Sequence, residues 1–197
     1  MPNPSPPKTP DTAALAHSVR SAGVKGPPPV HLWNPPFCGD LDIRIASDGT
    51  WFYLGTPIGR PALVRLFASI LKLEEGRYYL VTPVEKVGIR VDDAPFVAVD
   101  VSALDTGPAQ RLQFETNVGD IVTAGPDHAI RVVRDAADEP RPYIHIRRGL
   151  EALIDRKSYY RLADLGETGQ WDGRDWFGVR SEGTFFPIQP ADEVFSD

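Results

Sequence analysis

The sequence predicts an α+β fold built as two tandem units: period-two alternation recurs along most of the chain, stretches with helical spacing occur in each half, and the order strands, helix, strands is met twice. With 197 residues, 42% hydrophobic and 10% aromatic, the chain has material for one large core or two small ones. The segments read as a disordered tail and short helix over 1–30, a first α+β unit over 31–105 and a second over 106–197.

Residues 1–10 hold five of the 20 prolines and almost nothing that could be buried, the composition of a disordered tail. Asp11 is placed to cap a short helix in which Leu15 and Val19 share a face and Gly23 ends the run. Three prolines at 27–29 then force an extended link. Leu41, Ile43 and Ile45 alternate with polar neighbours, and Asp48-Gly49 turns this strand into the aromatic run from Trp51. Beyond Gly59 and Pro61, the residues Leu63, Leu66, Phe67, Ile70 and Leu71 keep helical spacing and predict a helix as far as Gly76. Three strands follow between Tyr78 and Leu104, divided at Thr82-Pro83 and at Asp92 to Pro95.

The second half opens with strands over 111–116, 121–125 and 129–133, turning at 117–120 and 125–128. A strand over 142–146 runs into a predicted amphipathic helix over 147–157, marked by Leu150, Leu153 and Ile154, and a strand over 159–165 comes next. A final hairpin turns at Ser181 to Gly183 and places Trp176, Phe177, Phe185 and Phe186 in or beside the core. The sheets are expected to be antiparallel, each with one covering helix, as in a structural duplication.

Charge and motifs narrow the chemistry. A net charge of −6 and a pI near 5.2 give no basic face for duplex nucleic acid. A single cysteine, Cys38, allows no disulfide framework and fits a reducing compartment; with no apolar leader and no run of 18 apolar residues, a cytoplasmic protein without membrane association is expected. Neither GxGxxG nor GxxxxGK[ST] nor GxSxG occurs. His17, His31, His128 and His145 are scattered, so no metal and no other cofactor is expected. Cys38 has no cation or helix start beside it in sequence and reads as a packing residue. Asp92 and Asp93 point to opposite faces if extended, which makes an acid/base pair awkward and a turn the simpler reading. Arg147 and Arg148 stand at the start of the predicted second helix and Arg60 at that of the first, so their guanidinium forks and the free amides of each helix start could converge on an anion.

The blocks WNPPFCGDLDIRIASDGTWFYLGTPIGR, LVTPVEKVGIRVDDAPFVAVD and PYIHIRRGLEALIDRKSYY resemble the bacterial domain-of-unknown-function family 1285, a resemblance that covers residues 30–188. It implies a duplicated strand-helix core, a second half with a pleckstrin-homology-like sheet, an interdomain surface holding a nucleotide-type ligand, and a role in signalling. It implies no reaction, so no catalytic residue is assigned. Within those blocks, turn geometry explains the glycines and Asp48, and packing explains Trp51, Phe96 and Tyr143, but neither explains Arg60, Lys86, Arg147 and Arg148. The expectation is therefore a regulatory protein that holds an anionic small molecule, of nucleotide type, in the interdomain cleft. Arg60, Lys86, Arg147 and Arg148 would contact phosphate, Trp33 or Tyr143 would stack on a base, and Asp92 would complete the ligand-binding set. One alternative is an interaction module that holds a protein partner on a sheet edge or on the C-terminal hairpin. The other is an enzyme with Asp92 or Asp93 as acid/base group and Lys86 as electrostatic stabiliser.

Overall fold

The computed structural model describes residues 11–21 and 27–194; the expected disordered tail and the helix stop at Gly23 lie outside the described residues. It is an α+β protein of two compact units, Met1–Asp92 and Asp93–Asp197. The division falls between the two aspartates and not after residue 105, because strand β7 (Phe96–Leu104) pairs with strands further along the chain.

In the first unit, α1 (Thr12–Ser21) starts at Asp11, whose carboxylate accepts from the Ala13 amide at 3.3 Å, and buries Leu15, Ala16 and Val19. The six-stranded sheet contains β1 (Phe37–Ile45), β2 (Trp51–Tyr53), β3 (Thr56–Pro57), β4 (Leu71–Glu74), β5 (Arg77–Val81) and β6 (Lys86–Val91). Its spatial order is β3-β2-β1-β6-β5-β4. Ile43, Ile45, Leu80 and Val87 line one face with Trp51, which stacks on Phe67 of α2 (Pro61–Ser69) at 6.5 Å between ring centres. Each such fully buried side chain contributes about 1.5–3 kcal/mol, so this face holds the helix to the sheet.

The helix predicted as far as Gly76 stops at Ser69. Leu71 and Leu73 alternate with Lys72 and Glu74, and the left-handed pair Glu75 (φ 51°) and Gly76 (φ 78°) makes a tight turn that returns the chain as β5. Cross-strand pairing of Leu71 with Leu80 thus overrides a helical spacing that the same leucines also satisfy.

The second unit repeats the sheet plan. β7 is joined by β8 (Arg111–Thr116), β9 (Ile121–Thr123), β10 (Ile130–Arg134), β11 (Pro140–Arg147) and β12 (Leu150–Ile154), in the order β10-β11-β12-β7-β8-β9. In both sheets two three-stranded meanders meet along a parallel pair, β1 with β6 and β7 with β12, so the expected antiparallel pairing fails at the centre of each sheet. The covering helix moves: α2 follows the third strand of its sheet, whereas α3 (Arg156–Asp164) follows the sixth.

The helix predicted over 147–157 and the strand predicted over 159–165 are exchanged in the structure. Arg148 (φ 48°) and Gly149 (φ 77°) form a two-residue hairpin turn, and Leu150, Ala152 and Ile154 are the buried face of β12. The helix begins only at Asp155, whose carboxylate accepts from the Ser158 amide at 2.7 Å. A small third sheet, β13 (Glu167–Trp171), β14 (Arg174–Ser181) and β15 (Thr184–Pro190), precedes α4 (Ala191–Val194); β13 has no counterpart in the sequence reading. Buried Ser181 ties this sheet to its neighbour, accepting from the Leu112 amide at 2.9 Å and donating to the Ala124 carbonyl at 2.6 Å. Phe114, Ile144, Val179, Phe186 and Ile188 fill the second core, and the curled arrangement is consistent with the pleckstrin-like expectation.

Candidate ligand-binding site

Period-two alternation puts Asp40, Asp42 and Arg44 of β1 on the face opposite the buried Leu41, Ile43 and Ile45. There they pair across strands: Arg77 with Asp40, Arg90 with Asp42 at 3.0 Å, and Arg44 with Asp92 at 3.1 Å. Lys86, one of the expected phosphate contacts, belongs to this face and sits 2.8 Å from Glu74 and 4.9 Å above the Tyr79 ring. Lys72 completes the group, 2.6 Å from Glu74 and 3.4 Å from the carbonyl of Trp33. Hydrogen bonds from Lys72 and then Lys86 hold the Glu74 carboxyl below its ordinary range, and Glu74 in turn raises Lys86. Five cations (Arg44, Lys72, Arg77, Lys86, Arg90) thus face four carboxylates (Asp40, Asp42, Glu74, Asp92), a surface that largely neutralises itself.

The other expected residues are dispersed. Arg60 is exposed at the start of α2, beside a shallow groove with Tyr53 and Leu63. Arg147 pairs with Asp120 at 2.6 Å and lies 4.9 Å over the Phe96 ring. Arg148 is exposed in the β11–β12 turn, so neither arginine stands at a helix start and the predicted convergence with helix amides does not occur. That turn is held by His145, whose Nδ1 donates to the Asp127 carbonyl at 2.8 Å while its Nε2 accepts from the Gly149 amide at 3.1 Å. Only the neutral tautomer protonated on Nδ1 meets both demands. Cys38 is exposed on β1, its thiol 3.4 Å from the Pro36 carbonyl. Among the described residues, no three His, Cys, Asp or Glu side chains gather in a way that could hold a metal ion.

Tyr143 leads to a different place. The residue is 5% exposed, its hydroxyl donates to Asp93 at 2.7 Å, and Arg131 lies 4.4 Å over its ring while gripping Glu151 through Nε and one terminal nitrogen. Arg141 donates from Nε to the Tyr143 hydroxyl at 3.2 Å and pairs with Asp93. Burial raises the Tyr143 hydroxyl, and Arg141 is raised by Tyr143 and Asp93. Asp92 and Asp93 are therefore engaged by different partners, Arg44 for the first and Tyr143 with Arg141 for the second.

Arg141 also borders an open cavity of about 400 Å³ within the second unit. Leu153, Ile154, Pro140 and Pro142 give it apolar walls, while α3 contributes Arg156, Tyr159 and Tyr160. Those three are spaced i, i+3, i+4 and so project from one side of the helix. Arg156 donates from Nε to the Tyr160 hydroxyl at 2.9 Å and is raised by that bond; burial raises Tyr159, whose hydroxyl has no hydrogen-bond partner among the described residues. Sequence reasoning passes over Arg141, Arg156, Tyr159 and Tyr160 as site residues. The signal was present in DRKSYY, an Asp-x-x-Ser cap followed by one polar helix face, but it was masked once a helix was placed over 147–157.

Among the described residues no helix is long and apolar enough to cross a membrane. No curated protein matches the sequence. Among solved structures, a DUF1285 family protein from Silicibacter pomeroyi DSS-3 is 64% identical, with a TM-score of 0.83 over 91% of this chain and 97% of its own. A DUF1285 family protein from Shewanella baltica OS155 is 30% identical, with a TM-score of 0.51 over 63% of this chain and 91% of its own. Residues 28–94 match the N-terminal domain of unknown function DUF1285 and residues 95–188 its C-terminal domain, limits that agree with the division between Asp92 and Asp93. The chain therefore belongs to the DUF1285 family.

Proposed function

We propose that this chain is a binding protein for a small anionic molecule, held in the cavity of the second unit beside α3. One observation carries this reading: a cavity of about 400 Å³ joins apolar walls to Arg141, Arg156 and two tyrosines. Ligand pockets fall at roughly 300–1,000 Å³ and combine a mostly apolar lining with a few convergent polar groups. On this wall, burial raises the Tyr159 hydroxyl. The reading keeps the anionic ligand expected from the sequence and gives it a different set of contacts. Binding without turnover fits the lining better than catalysis, since among the described residues the only carboxylate on the cavity wall is the exposed Glu139 and no histidine, cysteine or serine borders it.

A thermal-shift series on the full chain with benzoate, inorganic phosphate and adenosine monophosphate tests this. At a hundredfold excess over Kd a ligand adds about 2.7 kcal/mol, or roughly 5–10 °C in Tm for a chain of this size. A dose-dependent rise with at least one anion that Arg156→Ala abolishes supports the proposal. Flat curves with all three on folded protein refute it.

A further inference from the structure

From the charges around the cavity we infer that its ligand is a monocarboxylate with an apolar or aromatic body, gripped by Arg156 and the Tyr159 hydroxyl, and not a phosphorylated nucleotide. This specifies, and rests on, the reading of the second-unit cavity as the binding site. Arg141 borders the space but its fork is committed, Nε to Tyr143 and one terminal nitrogen to Asp93. Among the described residues Arg156 makes no ion pair, Glu139 acting on it only through its charge, and its Nε is used by the Tyr160 hydroxyl, which leaves both terminal nitrogens available. Arg141 is matched by Asp93, which lies outside the lining, and Arg156 by Glu139 on the lining, so these four charges cancel before a ligand arrives. A single carboxylate matches one free guanidinium edge in a two-point contact and adds one negative charge. A phosphate dianion or polyphosphate would bring charge that nothing on this wall compensates, with Glu139 opposing it.

The remaining features point the same way. Tyr159 is half-buried and lines the same cavity as Arg156, and its hydroxyl has no hydrogen-bond partner among the described residues. Leu153, Pro140 and Pro142 offer a carbon surface that a compact phosphate would leave uncovered and that the body of an aliphatic or aryl acid would cover.

Isothermal titration of the full chain with 3-phenylpropionate, its neutral amide 3-phenylpropanamide and adenosine monophosphate distinguishes the cases. The acid is expected to bind about 10- to 100-fold tighter than the amide, and Arg156→Gln to remove most of that difference, since a hydrogen bond to a charged group carries a factor of this order. Tyr159→Phe, which keeps the ring, should weaken the acid several-fold. Adenosine monophosphate should bind at least about tenfold more weakly than the acid. Tighter binding of the nucleotide, dependent on Arg156, overturns the monocarboxylate assignment while leaving the cavity as the site. Equal binding of acid and amide overturns the role of charge. Absence of binding by all three overturns both this assignment and the cavity reading.

Discussion

Gly178 and Gly88 both lie within strands, and the same change to alanine should have very different consequences at the two positions. A Cβ on Gly178 would run into the main-chain carbonyl oxygen of Phe186 and meet the Phe185 ring at 2.7 Å. Phe186 belongs to β15, which pairs with β14 on either side of a register shift at Gly178, so the carbonyl cannot retreat without opening that ladder. A Cβ on Gly88 would instead meet the tips of Asp40 and Arg77, side chains that are 67% and 48% exposed and free to swing aside. Displacing an exposed ion pair costs about 0–1 kcal/mol. Forcing a methyl group against fixed backbone costs about 1–3 kcal/mol, and Gly178 should sit at the upper end. At roughly 2–4 °C per kcal/mol for a chain of this size, Gly178→Ala should lower Tm by about 6–12 °C and Gly88→Ala by no more than about 4 °C. Thermal unfolding of the full chain followed by circular dichroism, with urea titrations read by tryptophan fluorescence, measures both. Equal losses, or a larger loss at Gly88, would refute the claim that the identity of the obstructing atom sets the cost.

Three further substitutions test polar groups that are buried or half-buried. Burial raises the Glu85 carboxyl, partly offset by a hydrogen bond with Ser18, so its ionisation opposes folding: stability is greatest below the ordinary carboxylate range and falls as pH rises through the raised folded value. Glu85→Gln should therefore raise Tm at pH 7, by about 1–2 °C, and leave it unchanged at acid pH. Ser158 is fully buried in α3 with its Oγ unpartnered, so Ser158→Ala should be neutral or stabilising by up to about 1 kcal/mol, read from the urea midpoint. Glu74→Gln should leave Lys72 and Lys86 facing each other with only a neutral amide between them, and the resulting loss of Tm should shrink as salt is added.

Strands that alternate cleanly were legible in the sequence. β1 with its Asp48-Gly49 turn, β5 to β7, and the β14–β15 hairpin fall where the pattern places them. The errors occurred where one set of leucines satisfies two periods. Leu71 and Leu73, and again Leu150, Leu153 and Ile154, fit a helix by spacing, but each segment abuts a left-handed turn, Glu75-Gly76 or Arg148-Gly149, that local propensity does not announce. The second of these errors displaced the site. With a helix assigned to 147–157, Arg147 and Arg148 stand as helix-start cations, the real cap at Asp155 and Arg156 fall at the end of that helix, and Tyr159 and Tyr160 fall in a predicted strand. The parallel pairing of β1 with β6 and of β7 with β12 is a property of strands far apart in sequence and leaves no mark in either strand alone.

The most direct test of ligand binding in the second unit is a two-dimensional amide NMR titration of the full-length chain with 3-phenylpropionate. Saturable shifts clustered on Glu139, Arg141, Leu153 and Arg156–Tyr160, absent in Arg156→Gln, are the predicted result. Shifts centred instead on Lys72, Tyr79 and Lys86, or on Arg60, or no saturable shifts at all, would contradict it.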